Sequence, residues 1–264
     1  MHSTRSKIPL LWFVLVTPFV ASLAPAQDWA KARLENSPRH GEWVKVPSGD
    51  GEIDCFVVYP EVSEKATSVL VIHEIFGLTD WARGVCDQLA EAGYVAVAPD
   101  MLSGQSFTGV DAARKAISKL TPEQIATALK STANYAKALP ASNGNLAVIG
   151  FCWGGTQAFR FAGDGPRLDV ALPFYGNPPQ TESEAAAISC PLYGFFGGND
   201  ARINAMLPKG EELLTAAGKT YNFKTYPGAG HGYMRAGEAP DASPENKKAW
   251  EASWERLKKI LAGI

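Results

Sequence analysis

The sequence predicts an α/β protein, a mostly parallel central sheet with helices on both faces. Two observations carry that prediction. Short, continuously apolar runs such as Ser68 to Ile72 read as strands buried on both faces. They alternate with longer amphipathic stretches that carry helix start and stop residues, and strand–helix alternation yields parallel strands with helices packed on either side.

Each element has its own warrant. Glu52 to Tyr59 and Ser68 to Ile72 read as strands. A helix fits Asp80 to Ala92, with Gly93 in the glycine position that ends helices. Tyr94 to Ala98 is the next strand, stopped by Pro99-Asp100. Val110 to Lys119 and Pro122 to Leu139 are helical, the second opened by Thr121 as N-cap with Pro122 at the first position. Asn145 to Ile149 is a strand and Trp153 to Ala162 a helix. Strands Asp169 to Phe174, Leu192 to Phe196 and Thr220 to Tyr226 follow, with a helix over Ile203 to Ala217. A last helix starts at Ser243-Pro244 and runs to about Leu261, with Trp250, Trp254 and Leu257 at helical spacing. Residues 27–50 are an N-terminal arm, polar from Gln27 to Pro47 and without a clear periodicity, and residues 51–264 form one domain.

Composition narrows the function classes. Hydrophobic residues make up 46% of the 264 and charged ones 20%, enough for a large core. The formal net charge is −2. This leaves no electrostatic case for nucleic acid or an anionic membrane as partner. The first 26 residues read as an export signal: Arg5 and Lys7, an apolar run from Ile8 to Val20, then small residues at Ala24 and Ala26. A run of about 13 apolar residues is short of the ~20 that a spanning helix needs. Cleavage after Ala26 is therefore expected, giving a periplasmic or secreted protein that is monomeric and free of the membrane.

The four cysteines, Cys55, Cys86, Cys152 and Cys190, have no Cys-x-x-Cys spacing, which argues against a zinc or dithiol motif. Export leaves a disulfide among Cys55, Cys86 and Cys190 open, with pairing undetermined. With no ligand cluster and no phosphate-cradling glycine loop, neither a metal nor an organic cofactor is expected.

Chemistry concentrates at strand ends. Gly150-Phe151-Cys152-Trp153-Gly154-Gly155 has the form glycine–x–nucleophile–x–glycine between a strand and a helix. The turn is sharp, so a Cβ on either side would strike backbone. It lifts the Cys152 thiol to a helix N-terminus, where negative charge is favoured. Gly197-Gly198-Asn199-Asp200 and Gly228-Ala229-Gly230-His231-Gly232 each follow a strand as well. Nucleophile, acid and histidine thus appear in the chain order of α/β-hydrolase triads. A thiol ordinarily titrates near 8.5, so His231 is needed to take its proton near neutrality, and Asp200 to orient and stabilise the imidazole. The Trp153 N–H and one after the strand Ser68–Ile72 would form the oxyanion hole.

His73-Glu74-Ile75-Phe76-Gly77-Leu78, together with Gly-Phe-Cys-Trp-Gly-Gly, Gly-Gly-Asn-Asp and Gly-His-Gly-Tyr, resembles the dienelactone hydrolase family over about Gly51 to Gly263. The resemblance implies the α/β-hydrolase fold and a triad of Cys152, Asp200 and His231. It also implies that Glu74 is a fourth catalytic residue touching the thiol, and that the Ile75 N–H is the second oxyanion donor. Arg235 matches a residue that binds the substrate carboxylate, and Tyr175 and Phe76 would contact substrate. Gly104 stands where the family often has an arginine, which leaves Arg235 as the carboxylate clamp unless Arg83 or Arg114 reaches in.

The expected function is cysteine-dependent hydrolysis of small esters or lactones through an acyl-thioester, with the small-molecule substrate as sole partner. Two rival readings stand beside it: a true dienelactone hydrolase (carboxymethylenebutenolidase), and a non-catalytic binding protein on the same fold.

Overall fold

Eight strands align into one sheet in the computed structural model, which describes residues 27–264; the expected export signal, residues 1–26, lies outside the described residues. The strands are β1 (Gly41–Ser48), β2 (Gly51–Val58), β3 (Ala66–Ile72), β4 (Val95–Pro99), β5 (Ser142–Phe151), β6 (Val170–Phe174), β7 (Leu192–Gly197) and β8 (Tyr221–Tyr226). Their order is β1-β2-β4-β3-β5-β6-β7-β8. β2 pairs antiparallel with both β1 and β4, and every pairing from β4 to β8 is parallel. The predicted fold class holds.

Strand side chains alternate between faces, and both faces are covered. Leu70 and Ile72 of β3 join one core with Leu146 and Val148 of β5. Val69 and Val71 join the opposite core with Ala147, Ile149 and Phe151. All seven residues of β3 are buried, which explains the unbroken apolar run in the sequence. The first core is closed by α4 (Pro122–Ala138), α5 (Trp153–Asp164) and α8 (Leu207–Ala216), through Leu129, Phe159 and Leu213. The second is closed by α2 (Asp80–Glu91) and α10 (Pro244–Leu261), through Trp81, Leu89, Trp254 and Leu257. The predicted caps form. Thr121 and Gln124 make a reciprocal capping box at α4, and Ser243 accepts the Asn246 N–H at α10.

The arm is ordered where the sequence showed no period. It holds α1 (Asp28–Glu35) and the edge strand β1. Two buried carboxylates fasten it. Glu238, on α9 (Tyr233–Glu238), receives Arg33, the Trp81 Nε1–H at 3.0 Å and the Gln88 amide at 2.8 Å. Asp87 on α2 receives Arg39 through two bonds at 2.8 and 2.7 Å, and the Ser37 hydroxyl at 2.5 Å.

All four cysteines are free. Cys86 packs in the core opposite Cys55 and Cys190, across the sheet. Cys55 lies on β2, and Cys190 just precedes β7, five strand spacings away in the sheet. That is roughly 24 Å at ~4.8 Å per strand, against the ~7 Å limit of a disulfide. The disulfide left open at the sequence level is ruled out by this geometry.

Candidate active site

β3 connects through α2 to β4 on one side, whereas β5 runs through α5 to β6 on the other. Successive connections therefore leave in opposite directions, opening a crevice at the carboxyl ends of β3 and β5. Glu74 follows β3, and Cys152 follows β5.

Cys152 stands between β5 and α5 with φ 56° and ψ −113°, a conformation L residues seldom adopt. The neighbouring glycines make it feasible. A Cβ on Gly150 would lie 2.0 Å from the Gly154 carbonyl oxygen, and one on Gly154 would lie 2.2 Å from that of Ile72. The Cys152 N–H donates to Phe174 O at 3.0 Å and its carbonyl accepts the Thr156 N–H, so the turn is held at both ends.

His231 Nε2 lies 3.1 Å from Cys152 Sγ, and its Nδ1 lies 2.6 Å from Asp200 Oδ2. The loops bearing Asp200 and His231 are stitched together by the Gly198 N–H to Tyr226 O at 2.7 Å and the Asn199 N–H to Ala229 O at 2.8 Å. That closeness explains the Gly197-Gly198 pair: a Cβ on either would come within 2.8 Å of the facing loop's carbonyl oxygens. Asp200 Oδ1 also accepts the Ile203 N–H at 3.3 Å, which fixes the carboxylate's other oxygen. Burial opposes protonation of His231, but its bonds to Asp200 and Cys152 outweigh that and lift the imidazole to about 9. Burial likewise works to raise Asp200, and the His231 partner overrides it, so the carboxyl sits below its ordinary range.

Glu74 is 4% exposed and turns to Arg235, whose Nε–H donates to its Oε2 at 2.8 Å. Tyr175 OH lies 3.5 Å from the other oxygen. The resemblance implies a contact between Glu74 and the thiol; here the carboxylate is bonded to Arg235 and the thiol to His231. The Arg235 guanidinium also lies over the Phe76 ring, 5.1 Å from its centroid. Tyr175 is fully buried at φ 38°, with its ring edge against His231 at 5.2 Å between centroids. Neither the Ile75 nor the Trp153 N–H finds a protein acceptor among the described residues, which leaves both free for a ligand oxygen.

His73 shapes this site in a way its sequence position did not reveal. Its Nε2 accepts the Met101 N–H at 3.2 Å, which leaves Nδ1 to donate to Glu74 O at 2.6 Å. Burial pushes this imidazole down, consistent with the neutral form those two bonds require. It ties the loop after β3 to the loop after β4. An imidazole directly behind a fully buried strand was the available signal.

Phe76, Arg235 and Gly104 line a cleft of about 700 Å³ whose walls include no triad residue. Gly104 has φ +81°, and its N–H donates to Asp100 Oδ2 at 2.6 Å, so glycine suits the turn itself. Arg83 lines the cleft but pairs with Asp80, and Arg114 is exposed on α3 (Val110–Ile117) outside the lining. Among the described residues no group of His, Cys, Asp and Glu is set to hold a metal.

The model of the Dienelactone hydrolase family matches residues 53–264. A Methylorubrum extorquens protein named "Putative carboxymethylenebutenolidase" is 30% identical over 249 residues, covering 88% of this chain and 85% of its own length. The crystal structure of a "Putative Dienelactone Hydrolase" from Klebsiella pneumoniae superposes with a TM-score of 0.77 at 24% identity, covering 86% of this chain and 99% of that one. A dienelactone hydrolase-like promiscuous phosphotriesterase from metagenomic libraries superposes with a TM-score of 0.75 at 20% identity, covering 85% and 98%. These two superpositions speak to the fold.

Proposed function

Because the chain belongs to the dienelactone hydrolase family, we propose that it hydrolyses small ester or lactone bonds with Cys152 as nucleophile, His231 as base and Asp200 as the imidazole's partner. The observation that carries this reading is the unbroken line from Cys152 Sγ through His231 to Asp200, at 3.1 and 2.6 Å.

His231, lifted to about 9 by Asp200 and Cys152, holds the thiol's proton as imidazolium while the sulfur attacks the carbonyl carbon. The carbonyl π electrons move to oxygen, where the N–H groups of Ile75 and Trp153 receive the negative charge; one such donor contributes about 2.7–4 kcal/mol to lowering the barrier. Collapse breaks the C–O bond, and the imidazolium returns its proton to the departing alkoxide. The acyl group is then a thioester on Cys152. Water, deprotonated by His231, attacks it; the C–S bond breaks, and acid and free thiol result. Glu74, paired with Arg235, leaves less negative potential in the crevice than an unpaired carboxylate would. Tyr175 and His73 act as positioning residues, one behind the imidazole and one beneath the Ile75 turn.

We also place the mature protein outside the cytoplasm, on the signal-like pattern of residues 1–26. N-terminal sequencing of the exported product would then begin at Gln27; a product retaining Met1 and found only in the cytosol overturns that placement.

A panel of p-nitrophenyl esters and simple lactones, with and without iodoacetamide, tests the reaction. The expected result is turnover abolished by alkylation. Turnover that survives complete alkylation of Cys152 contradicts the nucleophile, and no turnover on any member favours the binding-protein reading.

A further inference from the structure

The cleft beyond the triad has a composition of its own. Its walls carry Trp29, Trp43, Phe76 and Phe107, and no wholly unpaired cation. Its two guanidinium groups are each charge-paired: Arg83 with Asp80, and Arg235, through its Nε–H, with Glu74. Asp100 and Asp241 add two more carboxylates. Three carboxylates, Asp80, Asp100 and Asp241, thus line the cleft with two guanidinium groups, and Glu74 backs Arg235 from outside the lining, so a substrate carboxylate entering here meets net negative charge. A volume near 700 Å³ lies within the range of sites that enclose ring-sized groups.

Two of those aromatic walls come from outside the family match, which begins at residue 53. Trp29 sits on α1, and Trp43 on β1, where it meets Phe56 at 5.5 Å between centroids. Gln27 caps this wall by accepting the Trp81 N–H at 3.1 Å. The side nearest the triad is tied as well: the Phe107 N–H donates to Phe76 O at 3.0 Å, and the Phe76 ring lies under Arg235, which bonds Glu74. The arm is therefore a built part of the cleft and not a tail lying near it.

We infer that this cleft is a subsite for an uncharged aromatic or similarly apolar portion of the substrate, walled on its outer side by the N-terminal arm, and that it discriminates against substrates bearing a carboxylate. This deepens the ester-hydrolase reading by naming the substrate class, yet ligand binding in the cleft can be measured without turnover. Flat rings stack on the aromatic walls, and the paired guanidiniums give an anion no uncompensated partner.

Calorimetric titration at pH 7 with 2-naphthol and with 6-hydroxy-2-naphthoate tests the inference, since the two differ by one carboxylate. The neutral ligand is expected to bind at least ten-fold tighter. Trp29→Ala and Trp43→Ala should each weaken 2-naphthol at least five-fold; Trp43 is half-exposed, so its truncation spares the core even if Trp29→Ala loosens α1. Asp241→Lys should narrow the gap between the two ligands. Equal or tighter binding of the anion, absent binding of 2-naphthol, or unchanged affinity in both tryptophan variants overturns the subsite. Kinetics then separates the two claims. If 2-naphthyl acetate and ethyl acetate are both inert while 2-naphthol binds as expected, the hydrolase reading fails and the subsite stands. If both esters turn over without preference for the naphthyl ester, the subsite fails and the hydrolase reading stands.

Discussion

At the scale of single residues the account rests on a shared proton between Cys152 and His231. Cys152→Ala and His231→Ala should each abolish turnover while leaving the far-ultraviolet circular dichroism unchanged; near wild-type rates in a folded variant would remove that residue from the mechanism. Asp200→Asn should lower kcat by about 10⁴, as loss of the orienting carboxylate does in a serine-protease triad of the same geometry, with KM little changed. The pH dependence has a definite sign. The folded His231 is lifted to about 9, above its unfolded value near 6.5. Its contribution to stability is present in full below about 6.5 and is lost as pH rises through about 9. Asp200 is depressed, so its contribution is present above an unfolded value near 3.9 and is lost as pH falls through the lower folded one. The melting temperature of wild type minus that of His231→Ala should therefore be larger at pH 6 than at pH 10, and a flat difference would contradict the paired imidazole. These three residues were legible in the sequence because glycine-rich strand ends frame them in triad order. His73 was not, because what matters there is a pair of hydrogen bonds to residues 74 and 101 that no spacing encodes.

At the scale of elements, the strained turn and the docked arm carry the testable weight. Gly150→Ala and Gly154→Ala would each drive a methyl into backbone at about 2 Å. Each is expected to destabilise by about 3 kcal/mol, the upper range for overpacking, read as a shifted denaturant midpoint. The arm should depend on Arg39: its removal leaves Asp87, whose side chain is 3% exposed, with only Ser37. A loss of about 1.5–3 kcal/mol follows, the range for hydrogen bonds to charged groups; a loss under about 0.5 kcal/mol would mean the arm is not held there. The interior strands were readable because both of their faces are apolar. α1 was not, since only Ala30 of its eight residues is buried, and side-chain contacts to α2 and α9 hold it in place of an apolar stripe. β1 alternates between exposed and half-buried positions with only Val46 fully buried, so its pattern is too weak to read alone. The single helix expected over Ile203 to Ala217 is two, α7 (Ala201–Asn204) and α8, because Pro208 has no N–H to continue the ladder and sits where a new helix starts.

At the scale of the molecule, the sheet's change of direction between β3 and β5 places a strained cysteine and two free N–H groups at one crevice. Aspartate and histidine arrive from two neighbouring strands further along, and the arm closes the outer side of the cleft. Thiol, imidazole and donors have a joint purpose if an acyl group passes through Cys152. Intact-mass spectrometry of enzyme acid-quenched within milliseconds of mixing with a p-nitrophenyl ester reads that intermediate directly. The account predicts a population heavier by the mass of one acyl group, with the label on the peptide containing Cys152 and absent from Cys152→Ala. Full turnover with no acylated species, or with the acyl group on another residue, would contradict it.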